Sequence, residues 1–558
     1  MKKVNLLFPL FGMLLASCAQ NSVSVSEQIT SDFNSELSIE ESKEPMKENQ
    51  PISRVVKLSS GKTYLEVDQK PFTLRGAQVR IDGLLNRTPE NLEKCPPLTD
   101  NQIEQYFVQA KNCHFNTLEL ALDWARIEPT KDDYDFSLVD KLLAFTNKYA
   151  LKCEFLWFST NMCGDSHEFQ VPNYILDDPV TYPRMDSSEQ RYSGIYGSFC
   201  HLILNNPNLM ERESMALTKL MSHIYSWNKN NGNKNPLIGI QVHNEADCLL
   251  RWRYDNWKFK VAGNEITRKD LWDMTLESID NAGKAIKASK YQIYTRCNMC
   301  VTLGVNEFPQ CAETGFSPKD VLNLEGIDIV GDDPYNESPM AINKDIKAYA
   351  ILNNYPMICE NMGNYANSAA LFLTAYQAGG CYMFYDLATP EYFIFLNGNN
   401  SYQMDQGILN PDFTYKAHTA RTLSIVKGIE SVQSLVPLLD SVDFACFNVS
   451  SIDIKENLEQ TINTSNLSIT YKTNNSGVAF AIEKDNYLYL YSNADASFTI
   501  NNASINYKAD IGHFEGAEYV IEQSVYITPT IEVKESNLYR IKIRSITENV
   551  SSTTNENV

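Results

Sequence analysis

The sequence predicts an α/β chain built as a (β/α)8 TIM barrel followed by a C-terminal antiparallel β-sandwich. Three observations carry this. From about residue 72 to 427, eight short apolar or β-branched runs alternate with segments of helical period. No glycine-rich phosphate loop follows the first run, which argues against an open doubly wound sheet. Past residue 430 the helical period gives way to short strand-like runs separated by Asn, Asp, Ser and Gly.

The first residues read as an address. Lys2 and Lys3 precede a mostly apolar run, Asn5 to Ala16, which is too short to span a bilayer as a mature helix. It closes on Leu15-Ala16-Ser17-Cys18, which resembles a bacterial lipoprotein signal with Cys18 as the lipidated residue. Residues 1–18 are therefore expected to be a signal peptide, and the chain to be held by lipid in the bacterial cell envelope, facing the periplasm or the cell surface. Residues 19–51, rich in Ser, Glu and Asn, read as a flexible polar linker. A strand pair near Val55–Leu58 and Tyr64–Val67, closing on Lys70-Pro71, is expected to cap the bottom of a barrel domain spanning 52–428.

Within that domain the candidate strands are Thr73–Val79, Asn116–Leu122, Lys152–Phe158, Leu237–Val242, Tyr291–Arg296, Gly326–Val330, Pro356–Cys359 and Gly380–Phe384. Helical patterns fall near 100–112, 137–149, 211–228, 268–288, 342–353, 366–378 and 413–427, with Pro318–Leu324 as a short eighth. In 211–228, Leu217, Leu220, Met221, Ile224 and Trp227 recur every three or four residues and line one face. The sandwich, 429–546, is predicted from Val478–Ile482, Tyr487–Tyr491, Ser497–Ile500, Val520–Val525, Thr530–Val533 and Tyr539–Ile543. Tyr487–Tyr491 is apolar or aromatic on both faces, as in a strand packed on both sides. Residues 547–558 read as a disordered tail.

Charge narrows the partners. The 558 residues carry 48 Lys and Arg against 69 Asp and Glu, a net −21, which repels nucleic-acid phosphates and anionic lipid surfaces. Neither is expected as a main partner; the membrane is met only through the N-terminal lipid. The 13 cysteines are too dispersed for a small disulfide scaffold. Cys297-x-x-Cys300, followed by Cys311, has the look of half a zinc or redox site, but no second close pair follows. Buried thiols are the better reading, and no metal is expected.

In a barrel of this kind, functional groups stand at the C-terminal ends of the strands. Those ends hold Arg80, Trp124, Trp157, Asn244-Glu245, Arg296, Tyr335, Glu360 and Tyr385. Two are carboxylates closing otherwise apolar strands, Glu245 on the fourth and Glu360 on the seventh. Such a pair fits retaining glycoside hydrolysis, in which one carboxyl delivers a proton and the other attacks the anomeric carbon. No cofactor is then required. Glu128 and Asp135 are expected to fix the loop after the second strand, and His243 to be a buried, satisfied histidine or a proton partner of Glu245. Long insertions at 159–208, 246–267, 297–317 and 387–411 bring Trp252, Trp257, Tyr192, Tyr196, Tyr392 and Phe393 to the same side.

The segment Leu120-Ala-Leu-Asp-Trp-Ala-Arg-Ile-Glu-Pro129, continuing to Tyr134-Asp-Phe-Ser-Leu-Val-Asp140, resembles a block of the β-galactosidases in glycoside hydrolase families 35 and 42. Gly239-Ile-Gln-Val-His-Asn-Glu245 is similar to their acid/base strand, and Gly380-Cys-Tyr-Met-Phe-Tyr385 to the eighth strand of family 35. Both families belong to barrel clan A of retaining glycosidases. The resemblance implies Glu245 as acid/base, Glu360 as nucleophile, Asn244 on the sugar 2-hydroxyl and Tyr335 as a hydrogen-bond partner of the nucleophile. Arg80, Trp124, Trp157, Tyr385 and Trp252 complete the expected substrate contacts. The chain departs from family 35 at His243, Ala246-Asp247 and Asn361-Met362-Gly363, so the clan is implied more firmly than either family. The expected activity is hydrolysis of β-linked oligo- or polysaccharides, β-galactosidase-like and exo-acting. An endo-acting β-glycanase and a catalytically inactive glycan-binding lipoprotein are the alternatives.

Overall fold

The computed structural model describes residues 50–80, 98–162, 166–167, 170–186, 193–194, 197–250, 254, 258–300, 317–390, 405–449, 459–474 and 476–544. Cys18, the linker and the tail lie outside these residues. Eight parallel strands close a barrel in chain order: Arg75–Val79, Thr117–Asp123, Lys152–Met162, Leu237–Asn244, Tyr294–Met299, Ile329–Asp332, Met357–Met362 and Cys381–Tyr385. Closure is made by the eighth strand against the first, Tyr382 beside Arg75 and Phe384 beside Ala77. The second and fourth strands are buried at every position, which is why they read as near-continuous apolar runs.

The helices between strands start where local chemistry starts them. Thr99 and Gln102 form a capping box at the head of Asp100–Asn112, and Thr267 and Asp270 do the same for Arg268–Lys287. Pro207–Asn230 opens with Asn206 as its cap and proline in its first turn. The helix between strands five and six is short, Pro318–Leu322. A small antiparallel sheet, Ser53–Lys57, Thr63–Val67 and Lys70–Pro71, sits at the N-terminal ends of the strands. There the Ile52 amide donates to the Gln292 carbonyl, and Ser53 Oγ accepts from the Tyr294 amide.

Two strands begin three residues later than their apolar content predicts. The fifth runs Tyr294–Met299 rather than Tyr291–Arg296, and the sixth Ile329–Asp332 rather than Gly326–Val330. Tyr291 and Ile293 are buried beneath the strand, so their hydrophobicity reports the barrel floor rather than the ladder.

After the last barrel helix, Thr419–Ser431, ten antiparallel strands among the described residues form the sandwich. One sheet orders Phe444–Val449, Gly477–Lys484, Tyr487–Ser492, Leu538–Arg544, Ser504–Glu515 and Glu518–Tyr526; the other Glu459–Asn463, Ser468–Thr473, Ala496–Ile500 and Thr530–Val533. Leu488 and Leu490 lie in the sandwich core, whereas Tyr489 and Tyr491 belong to the barrel's core cluster. Tyr491 donates its hydroxyl to the Ser424 carbonyl at 2.6 Å. A Cβ at Gly428 would stand 2.6 Å from the Tyr491 ring, so only glycine lets the helix come this close.

Candidate active site

The two strand-end carboxylates meet. Tyr335, just past the sixth strand, places its hydroxyl 2.7 Å from Glu360 Oε2 and 3.2 Å from Glu245 Oε1. Those two oxygens are therefore within about 6 Å of each other whatever the angle at the phenol. Glu245 is 5% exposed and Glu360 4%. The backbone is bent to bring them there: His243, Glu245, Tyr335 and Asp386 all have positive φ, and the fourth strand shifts register between Val242 and Asn244. Non-glycine residues hold such angles at a cost of about 1–3 kcal/mol each, and they concentrate at functional sites.

Around Glu360 the donors are strong. Gln78 Nε2 donates to Oε1 at 3.0 Å from the first strand, and the Arg80 charge stands near. Gln78 Oε1 is buried with no hydrogen-bond partner among the described residues. Around Glu245 the donors are thiols: Cys300 Sγ lies 2.8 Å from Oε1 and Cys248 Sγ 3.2 Å from Oε2. Burial pushes the Cys300 thiol well above its usual range, so it stays protonated and donates. The Glu245 amide donates to Asn298 Oδ1 at 2.8 Å.

Burial, then the neighbouring Glu245 charge, pushes the Glu360 carboxyl up to about 7, against the Tyr335 hydrogen bond and the Arg80 and Arg296 charges. Two carboxylates this close do not both ionise readily, so the pair keeps one proton to near neutrality. Asp333 adds a third buried carboxyl, raised well above its ordinary value by burial and by Glu360 and Glu245.

The other expected site residues divide. Arg80 and Tyr385 stand at the mouth: the Arg80 guanidinium lies 4.1 Å over the Tyr385 ring and donates to Asp386 Oδ1 at 3.0 Å, and Tyr385 meets Tyr335 edge-on at 5.8 Å. Asn244 sits beside Glu245, its Oδ1 accepting from Gln241 and Asn298 at 3.0 and 3.1 Å.

Trp124 and Trp157 are corrections. They are 0% and 1% exposed, and each indole N–H is held at 3.0 Å by a buried carboxylate, Glu128 and Glu213 respectively. Neither offers a face to a sugar; both pack the barrel wall. Glu128 also accepts from the Asp132 amide and pairs with Arg212, fixing the loop, and Asp135 accepts from the Ser137 amide. His243 is fully buried 3.2 Å from Ser278 Oγ, with burial lowering its basicity, a structural histidine.

Arg296 is a correction of place. The later start of the fifth strand puts it inside the barrel, bonded to Glu154 at 2.8 Å and to Glu119 and Gln241. Asn298 and Cys300 hold the mouth position instead. Trp252, Trp257, Tyr192, Tyr196, Tyr392 and Phe393 lie outside the described residues. Gln78, Asn298, Asp333 and Cys248 carry no site signal of their own in the sequence, and Cys300 stands there only in a Cys-x-x-Cys spacing read as buried thiols. Gln78 was within reach, two residues before Arg80 on the same face of the first strand.

Residues 274–453 match the family described as "Domain of unknown function (DUF4978)", a stretch that holds Tyr335 and Glu360 but not Glu245. No curated protein matches the chain. Among solved structures the chain is similar to an exo-beta-1,4-mannosidase from Opitutaceae bacterium strain TAV5 (14% identity, 68% of this chain and 63% of that one, TM-score 0.44). It is also similar to a beta-galactosidase from the haloarchaeon Halorubrum lacusprofundi (13%, 64% and 58%, TM-score 0.43). A third is a family 39 glycoside hydrolase from Bacteroides cellulosilyticus WH2 (10%, 86% and 84%, TM-score 0.43). The chain thus spans less than two thirds of the length of the mannosidase and the galactosidase. At these scores and identities the likenesses carry no argument, and the fold rests on the chain's own strand order.

Proposed function

We propose that this chain is a retaining β-glycosidase in which Glu360 is the nucleophile and Glu245 the acid/base. The observation that carries the proposal is the single phenol of Tyr335 standing between two buried carboxylates. A phenol has one hydrogen to give. Given to Glu360 at the shorter contact, it works against the burial and the Glu245 charge that raise that carboxyl, and so favours the ionised form a nucleophile needs. The donor sets agree: N–H, O–H and a guanidinium charge favour an ion at Glu360, whereas thiols, weaker donors, face Glu245.

In the first step Glu245 hands its proton to the glycosidic oxygen as Glu360 forms a bond to the anomeric carbon. In the second, Glu245 takes a proton from water, which displaces the sugar from Glu360. The separation of about 5–5.5 Å needed for this fits the bound set by Tyr335. The unpartnered Gln78 Oε1 is an acceptor for a sugar hydroxyl beside the nucleophile. A β-galactoside is the finer reading, supported by the likeness of 120–140 and 239–245 to families 35 and 42, and exo-action rests on the long insertions after the third, fourth, fifth and eighth strands, expected to enclose a pocket. Lipid attachment at Cys18 in the cell envelope rests on the Leu15-Ala16-Ser17-Cys18 motif.

The test is a panel of aryl β-glycosides with wild type, Glu360→Ala and Glu245→Gln, with the anomer of the released sugar read by NMR. Retained configuration with nearly all rate lost in both variants is expected. Sugar-dependent stabilisation without turnover in any protein would make the chain a binder and overturn the proposal.

A further inference from the structure

The thiols around Glu245 have a use beyond hydrogen bonding. Cys297 and Cys300, spaced in the sequence like half a metal site, are separated in role by the fold. Cys297 Sγ faces the backbone oxygen of Asn298, while Cys300 turns to Glu245. Its companion comes from the fourth strand's end. There a single turn, closed by the Cys248 amide on the Glu245 carbonyl at 2.9 Å, folds Cys248 back over the Glu245 carboxylate. Cys300 is anchored in turn by its amide, which donates to Asp247 Oδ1 at 3.0 Å. One carboxylate oxygen and two sulfurs thus lie within 4.8 Å of one another, all buried and all placed by strand ends.

We propose that Glu245, Cys248 and Cys300 form a site for one thiophilic divalent cation of the Zn2+ or Cd2+ class. Zinc takes thiolate sulfur at about 2.3 Å and carboxylate oxygen at about 2.0–2.2 Å, so the edges of a tetrahedral site are roughly 3–4 Å. Cys300 meets Glu245 Oε1 at 2.8 Å and Cys248 meets Oε2 at 3.2 Å, and one oxygen with both sulfurs already lies within 4.8 Å, so side-chain rotation can bring the three ligands to such edges. Two sulfurs select a borderline or soft metal over Mg2+ and Ca2+. Binding releases the two thiol protons to solvent and forms two metal–sulfur bonds and one metal–oxygen bond, leaving the fourth position of a tetrahedral zinc to water. An occupied site holds the acid/base carboxylate as a ligand, so the cation is an inhibitor and not a cofactor. Binding stands independently of the glycosidase reading; only the inhibition rests on it.

The test titrates the reduced full-length protein with Cd2+ and follows the cadmium–thiolate absorption band, with Zn2+ uptake measured by equilibrium dialysis. One equivalent is expected in wild type and in Glu360→Gln. The band should be lost in Cys248→Ser/Cys300→Ser, with affinity weaker by on the order of a hundredfold. Glu245→Gln, which keeps both sulfurs, should bind more weakly with the band intact, and it serves if the double variant does not fold. Where hydrolysis is measurable, Zn2+ should inhibit wild type reversibly with a chelator, each variant being compared with its own metal-free rate. Equal Cd2+ affinity and band in the double variant, or no uptake by the reduced wild type, would overturn the site. Loss of the band in the double variant with no hydrolysis by any protein supports the site and removes the glycosidase reading instead.

Discussion

Replacing Glu360 by Gln is expected to stabilise the protein, and only above acidic pH. Glu360 gives up its proton near pH 4.5 in the unfolded chain and near pH 7 in the folded one, because it is buried beside Glu245. Between those values the folded state binds more protons, so stability falls as pH rises, then levels off above about 7. At about 1.4 kcal/mol for each pH unit, the loss amounts to about 3 kcal/mol. Gln has the same shape, accepts from Tyr335 or Gln78, and never ionises. It should be neutral at pH 4.5 and worth up to about 3 kcal/mol at pH 8. For roughly 500 residues unfolding as one unit, at ~2.1 cal/mol/K per residue of unfolding entropy, that is about 3 °C in Tm. Calorimetric scans of both proteins at the two pH values, at one scan rate and with a chelator present, measure the difference. A Tm shift of the same size at both pH values, or a lower Tm for the variant at pH 8, would refute the assignment of a shared proton to this pair. The same protein should be inactive, so stability and turnover move in opposite directions.

Two other substitutions test separate parts of the structure. Tyr335→Phe removes the 2.7 Å hydrogen bond that holds the Glu360 carboxyl down, so the pair's proton should leave at higher pH. A hydrogen bond to a charge contributes about 1.5–3 kcal/mol, so kcat/KM should fall roughly tenfold to a hundredfold with its pH profile displaced upward; an unmoved profile counts against the phenol's role. Gly428→Ala drives a methyl group into the Tyr491 ring, which is buried and stacked on Phe480 at 5.3 Å. A loss of about 1–3 kcal/mol, read as a lower Tm, is expected, and a neutral result would mean that the helix and sheet are not in close contact.

Much of this was legible because barrel strands are apolar throughout and the intervening helices are amphipathic, two signals a single sequence carries well. All eight strands were located, and Glu245 and Glu360 stood out as charges closing apolar runs. What escaped notice was polar. Asn298 and Gln78 look like loop chemistry in sequence, yet they sit in buried strands because other polar groups satisfy them: Asn298 donates to Asn244 and Asp333, and Gln78 to Glu360. Trp124 and Trp157 misled for the converse reason, since an indole beside a strand end can face inward when a buried carboxylate takes its N–H. In the sandwich, Phe444–Val449, Glu459–Asn463, Ser468–Thr473 and Ser504–Glu515 were missed. Glu459–Asn463 exposes alternate residues and Ser504–Glu515 leaves most of its length partly exposed, so their apolar content is thin.

The strand Tyr487–Ser492 faces the sandwich interior with its leucines and the barrel with its tyrosines, so it is a rivet rather than a hinge. The C-terminal portion is consequently no cassette that can be trimmed or transplanted: excising it would uncover the helix Thr419–Ser431, and the excised piece would carry Tyr489 and Tyr491 bare on its flank.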